Sequence, residues 1–371
     1  MTLLGFPCGA ESCPHPGGRG VSLSAAGTSV ARVGQTSTTQ TPDQFSDVAR
    51  ARAADKAPDL DLERYRGELT GYCYRMLGSA FDADDAVQEC MVRAWQAADR
   101  FEGRSSVRSW VYRIATNVCL DLLRSRQRRA LPMDLSSPVP SSTPPAETLS
   151  DHVWIEPVAD RDVMPLGADP AEQVVVRDTV RLAFVAALQL LPPRQRAVLI
   201  LREVLCWPAA DVAELLDTTV ASVNSALQRA RATLAERNVE PGGRHEELGD
   251  AERDLLARYV EAFERYDIDT LVGLLHEDAS ISMPPYPMWL RGRADLRGWY
   301  LGYGIRCKGS RLVPLEVSGS PAFAQYRASG PGGRHEPWCI QVLELRDGRV
   351  SHVHHFLDTR LFERFGLPTH L

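Results

Sequence analysis

Lysine is nearly missing from this chain: of 42 basic residues in 371, only Lys56 and Lys308 are lysines. Such a preference reflects coding bias toward arginine, so a single arginine says little and only clusters of them carry meaning. No run of some 18 uncharged apolar residues occurs, and no charged stretch followed by an apolar core and a small-residue cleavage site precedes the rest. A membrane-spanning helix and a secretory leader are therefore not expected, and the expected location is the cytoplasm. No CxxC pair occurs among the eight cysteines, Cys8, Cys13, Cys73, Cys90, Cys119, Cys206, Cys307 and Cys339, most of which sit among apolar neighbours and read as buried free thiols. Cys8, Cys13 and His15 do not complete a zinc ligand set. Neither a metal nor a cofactor is expected.

What the chain does contain is charge of unequal distribution. The net charge of −6 conceals a basic block over 104–131, where seven arginines face Asp121 alone, and an acidic one over 131–177, where eight acids face Arg161 and Arg177. A basic block inside an acidic protein points to a localised nucleic-acid surface. Residues 1–57 have no periodic apolar face and are expected to be disordered, as translation from an upstream start codon would produce. Helical spacing runs from Leu62 through Tyr65, Leu69, Tyr72, Met76, Val87, Met91, Trp95, Trp110, Val111, Ile114 and Val118, predicting an all-α domain over 58–131. Eight prolines between Pro132 and Pro170 mark 132–170 as an acidic, proline-rich linker. A second all-α block over 171–238 opens with Asp169 as N-cap and Pro170 at the first helical position, and its first helix is expected to run to Pro192. After a break at 239–250, residues 251–371 change to one helix followed by alternating segments, with Asp347-Gly348 as a hairpin turn, an α+β domain.

The second block carries a helix-turn-helix pattern over Pro208 to Leu234: a helix to Leu216, a break at Asp217-Thr218-Thr219, and a helix from Val220. Val220, Val223, Leu227 and Ala230 are expected to pack inward. Arg194, Thr219, Ser222, Asn224, Ser225, Gln228, Arg229 and Arg231 are left for base edges and phosphates. The spacing alone also allows an ordinary three-helix bundle with a solvated polar face. In the first block, aromatics interleave with arginines, a composition suited to stacking bases and tracking phosphates. Trp95 and Trp110 can equally be core residues at helical spacing.

In this order the blocks resemble the extracytoplasmic-function group of bacterial sigma factors, through DADDAVQE, RAW, SWVYRIATN and a D-LR element within 62–130, and LPPRQRAVL with the helix-turn-helix within 183–237. The resemblance implies a first domain that binds core RNA polymerase and opens the −10 element, through Phe101, Ser105, Ser109, Trp110, Arg113, Asn117, Arg124 and Arg126, and a second that reads the −35 element of promoter DNA. It also implies docking on the β′ clamp helices and β flap of the polymerase, and it leaves room for an anti-sigma factor or a small ligand as a further partner. The last domain resembles the SnoaL-like branch of the NTF2-like fold through MPPY (283–286), SHVHHFLDT and LFERFGLP; a sigma factor so extended resembles the actinobacterial sigma-G group.

Relatives of the last domain include cyclases working with an Asp/His pair. Here Tyr286, Trp289, Trp338, His352, His354 and Asp358 are the residues expected to line one cavity, His352 and His354 sharing a strand face and His355 taking the other. No nucleophile motif or metal set accompanies them, so the chain is not expected to be an enzyme. A regulator whose cone is a working cyclase, and a plain helix-turn-helix repressor, are the competing readings.

Three aspartates open the stretch FDADDAVQECMVRAW. Successive positions at a helix start diverge too much to hold a cation, and a four-letter match to the acid motif of large terpene cyclases carries no weight. Asp82 is expected to cap the helix, with Asp84 and Asp85 in the first turn favoured by ~0.3–1 kcal/mol each. By the resemblance, Asp82, Asp84, Asp85, Gln88 and Glu89 form the surface that meets core polymerase, while Val87, Met91 and Trp95 hold the other face to the core.

Overall fold

A computed structural model describes residues 60–145, 147–165, 167–236 and 248–371. The segment 1–57 expected to be disordered lies outside the described residues, as does most of the 239–250 break. The chain divides into two compact units. In the first, which groups Ala98–Phe101 with the N-terminal residues, the described residues are Leu60 and a 3₁₀ turn, Ala98–Arg100, followed by Phe101, whose N–H donates to the Ala98 carbonyl at 3.0 Å. The second, Asp61–Ala97 with Glu102–Leu371, holds everything else.

Helices α1 (Arg66–Leu77), α2 (Ala80–Ala97) and α3 (Val107–Arg124) form the first bundle. α1 stops at Gly78, whose φ of 72° only glycine adopts without cost. The second bundle holds α4 (Pro170–Thr179), α5 (Leu182–Gln189), α6 (Pro193–Leu199, continued by a π-helical turn Ile200–Val204), α7 (Ala209–Leu215) and α8 (Val220–Ala235). Asp169 caps α4 by accepting the Glu172 N–H at 2.8 Å. The continuous helix expected to reach Pro192 is instead two. The chain leaves helical geometry at Val180 and Arg181, and Leu182, Phe184, Val185 and Leu188 of the second helix are buried in the same core as Val176 of the first.

The C-terminal domain has α9 (Asp250–Arg265), α10 (Ile268–Gly273), α11 (Arg293–Leu301), α12 (Arg360–Arg364) and six strands: β1 (Leu275–Ser282), β2 (Trp289–Arg291), β3 (Arg311–Val317), β4 (Ser320–Arg327), β5 (Glu336–Arg346) and β6 (Arg349–Phe356). The sheet order is β2-β1-β6-β5-β4-β3, antiparallel except for β1 beside β6. Asp347 and Gly348, both at positive φ, turn β5 into β6 as expected.

Both faces of this sheet are buried. Leu312, Phe323, Leu343 and Val353 pack with Leu255, Tyr259 and Phe263 of α9. Val317, Ala322, Ala324, Tyr326, Ile340, Val342 and Phe356 share one hydrophobic core with the two helical bundles. Alternation along β5 and β6 thus serves two cores, one on each side of the sheet.

The linker is held along its length. A single helical turn, Pro132–Leu135, leads into a strap on the C-terminal domain: the Trp289 indole N–H donates to the Ser136 carbonyl at 2.8 Å, Val139 N–H to the Trp289 carbonyl at 2.9 Å, Ser141 N–H to Asp295 at 2.9 Å and Leu149 N–H to the Pro285 carbonyl at 3.0 Å. Proline richness limits the linker to short helical turns, Pro132–Leu135, Asp151–Val153 and Asp160–Val163, and these anchors hold the stretch between the first two.

Candidate partner and nucleic-acid interfaces

The start of α2 differs from expectation. Ser79, not Asp82, is the cap: its Oγ accepts the Asp82 N–H at 3.1 Å. Asp82 turns inward, where it accepts Arg129 Nη2 at 2.7 Å and pairs with Arg126. Burial alone would raise its carboxyl; the two guanidiniums outweigh that and hold it below the ordinary aspartate value. Asp82 therefore offers nothing to a partner, and Arg126 is committed to Asp82 rather than left for phosphate. Asp84 is half-exposed and held bidentately by Arg364 of α12, at 2.7 and 2.9 Å. Asp85, Gln88 and Glu89 face solvent, with Glu89 paired to Arg93 at 2.7 Å.

Trp95 is the second correction: its side chain is 76% exposed, not in the core, while Val87 is buried and Met91 partly so. With Val92, 44% exposed, it continues the arc that Asp85, Gln88 and Glu89 begin, since helical steps of 100° place positions 85, 88, 89, 92 and 95 within one third of the circumference. The exposed face is acidic at one end and apolar at the other.

In α3, Ser106 caps the helix by accepting the Ser109 N–H at 3.0 Å, and its Oγ lies 2.9 Å from that of Ser109. Asn117 and Arg124 are exposed, Arg124 beside Asp121 at 3.1 Å; Ser105 and Trp110 are half-buried, and Phe101 follows the 3₁₀ turn of the other unit. Arg113 points at the second bundle, where its Nη2 donates to the Glu214 carbonyl of α7 at 2.7 Å. Tyr112 lies 5.0 Å from Trp207, centroid to centroid, and Arg108 sits over the Trp207 ring while pairing with Glu68 at 2.7 Å.

Leu216 to Thr219 form the turn of the helix-turn-helix, with Asp217 at a φ of 48°. Val223, Leu227 and Ala230 are buried as expected, but Val220 is exposed. It occupies the first helical position after the cap, ahead of the turn that meets α6. Ser222, Asn224, Ser225, Gln228, Arg229 and Arg231 all face outward, as does Arg194. Thr219 is first a cap, accepting the Ser222 N–H at 3.1 Å, and Arg231 pairs with Glu203.

The six residues expected to line one cavity do not converge. His352 and His354 stack with centroids 5.9 Å apart on the sheet face that meets the helical bundles, and Glu344 lies 3.3 Å from each. His354 also contacts Ser282 Oγ through Nδ1 at 2.9 Å. Burial would raise Glu344, yet the hydrogen bond and charge of His354 and the charge of His352 hold it at about 2. The histidines line a cleft of about 260 Å³ with Met133 and Asp134 of the linker and Ala183, Ala186 and Leu190 of the second bundle. Trp289 binds the linker, Trp338 lies under Arg327 at 4.1 Å, Asp358 pairs with Arg360 at 2.6 Å, and Tyr286 packs against the α9 side.

Inside the cone, four polar side chains form one chain: the Tyr259 hydroxyl donates to Gln341 at 2.9 Å, Gln341 to Gln325 at 2.8 Å, and Gln325 to Ser310 at 2.9 Å, while Ser280 Oγ and His355 Nδ1 are buried without a hydrogen-bond partner. His355 lies buried across from Gln341, and burial lowers its pKa to about 4. No cluster of three or more His, Cys, Asp or Glu suited to a metal exists among the described residues, and no described helix is long and apolar enough to cross a membrane.

Sequence reasoning missed Arg364, Arg129 and Trp207. Each acts on a residue far away along the chain: Arg129 stood out only as one of a basic block, and neither Trp207 nor the lone Arg364 belongs to a pattern that names its partner.

Known proteins share this arrangement. Residues 62–129 match the family described as Sigma-70 region 2, 181–234 match Sigma-70, region 4, and 256–353 match the SnoaL-like domain. The ECF RNA polymerase sigma factor SigG of Mycobacterium tuberculosis is 47% identical over 314 residues, 83% of each chain. SigJ of the same organism is 28% identical over 333 residues, covering 83% of this chain and 96% of SigJ. The crystal structure of SigJ superposes with a TM-score of 0.53 at 24% identity, over 83% of this chain and 99% of that one.

Proposed function

This chain belongs to the ECF RNA polymerase sigma factors, and from that starting point we propose that it is a sigma factor held shut in cis by its own C-terminal domain. As a sigma factor it associates with core RNA polymerase and directs promoter recognition; sigma factors are not themselves enzymes. Region 2 takes the −10 element through Asn117, Arg124 and the end of α3, and region 4 takes the −35 element through the outward face of α8. The exposed face of α2, from Asp85 to Trp95, meets the β′ clamp helices, with acids to orient the encounter and Trp95 to anchor it. The β flap falls to region 4.

The observation that carries the closed reading is the hydrogen bond from Arg113 of α3 to Glu214 of α7. The two promoter elements lie roughly 25 base pairs apart, about 85 Å at ~3.4 Å per pair. Helices that touch cannot read both, so regions 2 and 4 must separate before promoter binding. Arg364 adds a second restraint, since it ties α12 to Asp84 on the helix that meets polymerase and to Asp162 of the linker at 2.7 Å.

The hydrogen-bonded chain Tyr259–Gln341–Gln325–Ser310 inside the cone, which leaves those four side chains tied to one another, supports a packing or binding role for that domain over acid–base catalysis. Replacing Arg364 with Ala should raise affinity for core polymerase about tenfold, the factor set by ~1.4 kcal/mol. Titration of labelled protein with core enzyme, alongside run-off transcription, checks this; unchanged affinity and transcription would refute the cis restraint.

A further inference from the structure

Two imidazoles share one carboxylate at the joint between region 4 and the C-terminal sheet, in the cleft of about 260 Å³. Glu344 of β5 presents one oxygen to His352 Nδ1 and the other to His354 Nε2, each at 3.3 Å. The rings lie within 7° of parallel, and His354 is fixed from behind by Ser282 Oγ of β1, 2.9 Å from its Nδ1. Two titratable rings are thus held in register with a single negative charge.

What faces the rings decides what a proton does to the joint. α5 and its end contribute Ala183, Ala186, Ala187 and Leu190, and the linker contributes Leu131 and Met133, none of them charged. Asp134 is the one further acid lining the cleft among the described residues, and its carboxylate accepts the Leu131 N–H at 3.1 Å. The charge of Arg181 reaches Glu344, and those of Arg346 and Arg291 reach His352. Two of these arginines have acids of their own, Asp178 at 3.8 Å from Arg181 and Asp278 at 3.5 Å from Arg291, while Arg346 meets only the His276 ring, at 2.9 Å.

The count closes on one proton. With a single proton on the two rings, one imidazolium and Arg346 stand against Glu344 and Asp134; a second proton leaves an excess positive charge facing an apolar roof, where lost hydration disfavours it. Burial and the charges of His354, Arg346 and Arg291 accordingly hold His352 below the ordinary histidine value, against Glu344, which favours its proton. Once the joint parts, the ring returns toward about 6.5. Because the closed value is the lower one, the contact has full strength above about pH 6.5 and weakens as pH falls through the closed value.

We propose that His352, His354 and Glu344 form an acid sensor at the joint, in which uptake of a second proton by the histidine pair drives the C-terminal sheet away from α5 and frees the factor for polymerase. The freeing of the factor rests on the closed reading above; the paired titration does not. Asp160 and Glu156, whose carboxyls burial raises, act in the opposite sense, so variants must be compared as well as pH values.

Dyes on Gln228 of α8 and on Ser329 beyond β4, both exposed, report the joint in the full chain. Between about pH 7.5 and about pH 5, energy transfer should fall about threefold further in the parent than in His352→Gln, which keeps His354 and Glu344 as a balanced pair. Imidazole NMR of the parent should show His352 taking its proton at lower pH than in the chain unfolded by urea, and at lower pH still in Glu344→Gln. Superimposed profiles of parent and His352→Gln, or a His352 midpoint that unfolding does not move, would overturn the sensor. A sensor that responds as expected, yet gives the parent no greater gain in core-polymerase affinity at acid pH than His352→Gln, would overturn the freeing of the factor with the titration intact.

Discussion

Asp82 and Asp85 stand three residues apart in one acidic cluster and have opposite fates. Asp82 is sealed between Arg126 and Arg129, and Asp85 looks into solvent. Removing one member of a buried charge pair leaves the other uncompensated, so Asp82→Ala should cost ~3–5 kcal/mol of stability, read by urea unfolding. Reversing Asp85 and Glu89 to Arg should change unfolding by under about 0.5 kcal/mol, as surface substitutions do. The same reversal should weaken core binding severalfold, measured by titration. A loss of fold in the second case, or none in the first, would reverse the assignment. The sequence could not distinguish the two: acids at a helix start suit capping, a macrodipole or a buried partner equally, and the partner, Arg129, lies 47 residues on. Trp95 was misread for a related reason, since helical spacing says which residues share a face but not whether anything covers it.

At the level of elements, periodicity located the helices of both bundles, and Asp347-Gly348 marked the β5–β6 hairpin. The break at Val180 left no trace, because the apolar run continues across it and only tertiary packing favours two helices over one. Nor could alternation in β5 and β6 reveal which layers would cover the two faces, so His352 and His354 were assigned to a cone whose outer side they occupy. The turn joining β3 to β4 is a point where the domains meet closely. Gly319 has a φ of 61°, its N–H donates to Asp160 at 2.8 Å, and a Cβ there would lie 2.1 Å from the Arg177 carbonyl. Gly319→Ala should thus loosen the joint, seen as faster amide exchange in α4 and in Val317–Pro321 together. Burial pushes the Asp160 carboxyl up to about 6, against the Gly319 N–H and Arg177, which favour its charge. With the folded value above the unfolded one, the contribution is full below about pH 4, is lost as pH rises to about 6 and is constant beyond. The gap between the ordinary aspartate value and about 6 corresponds to ~3 kcal/mol. Unfolding at pH 5 and pH 7 should therefore show lower stability at the higher pH from this group, and Asp160→Asn should remove that difference.

For the whole molecule, the order of the three domains was legible from two motif-bearing segments separated by a variable stretch and a third of different periodicity. Their mutual packing was not, since it depends on contacts such as Arg113 with Glu214 that no local pattern announces. If the closed form is the resting one, dyes at Asn117 and Gln228 should show high energy transfer in the free protein and lose it by tens of ångströms of separation on adding core polymerase and promoter, on the scale of the ~85 Å between the elements. Efficient transfer in the transcribing complex would contradict the opening.

The sheet with two buried faces carries one more consequence. Opening uncovers Ile340, Val342, Phe356 and their neighbours together with the bundle surfaces that covered them, and apolar area of that kind invites self-association and proteolytic attack. If the domains part in this way, the liberated factor is the form most exposed to turnover, and a response driven by it would be limited by that turnover as well as by signal, ending without any separate step to end it.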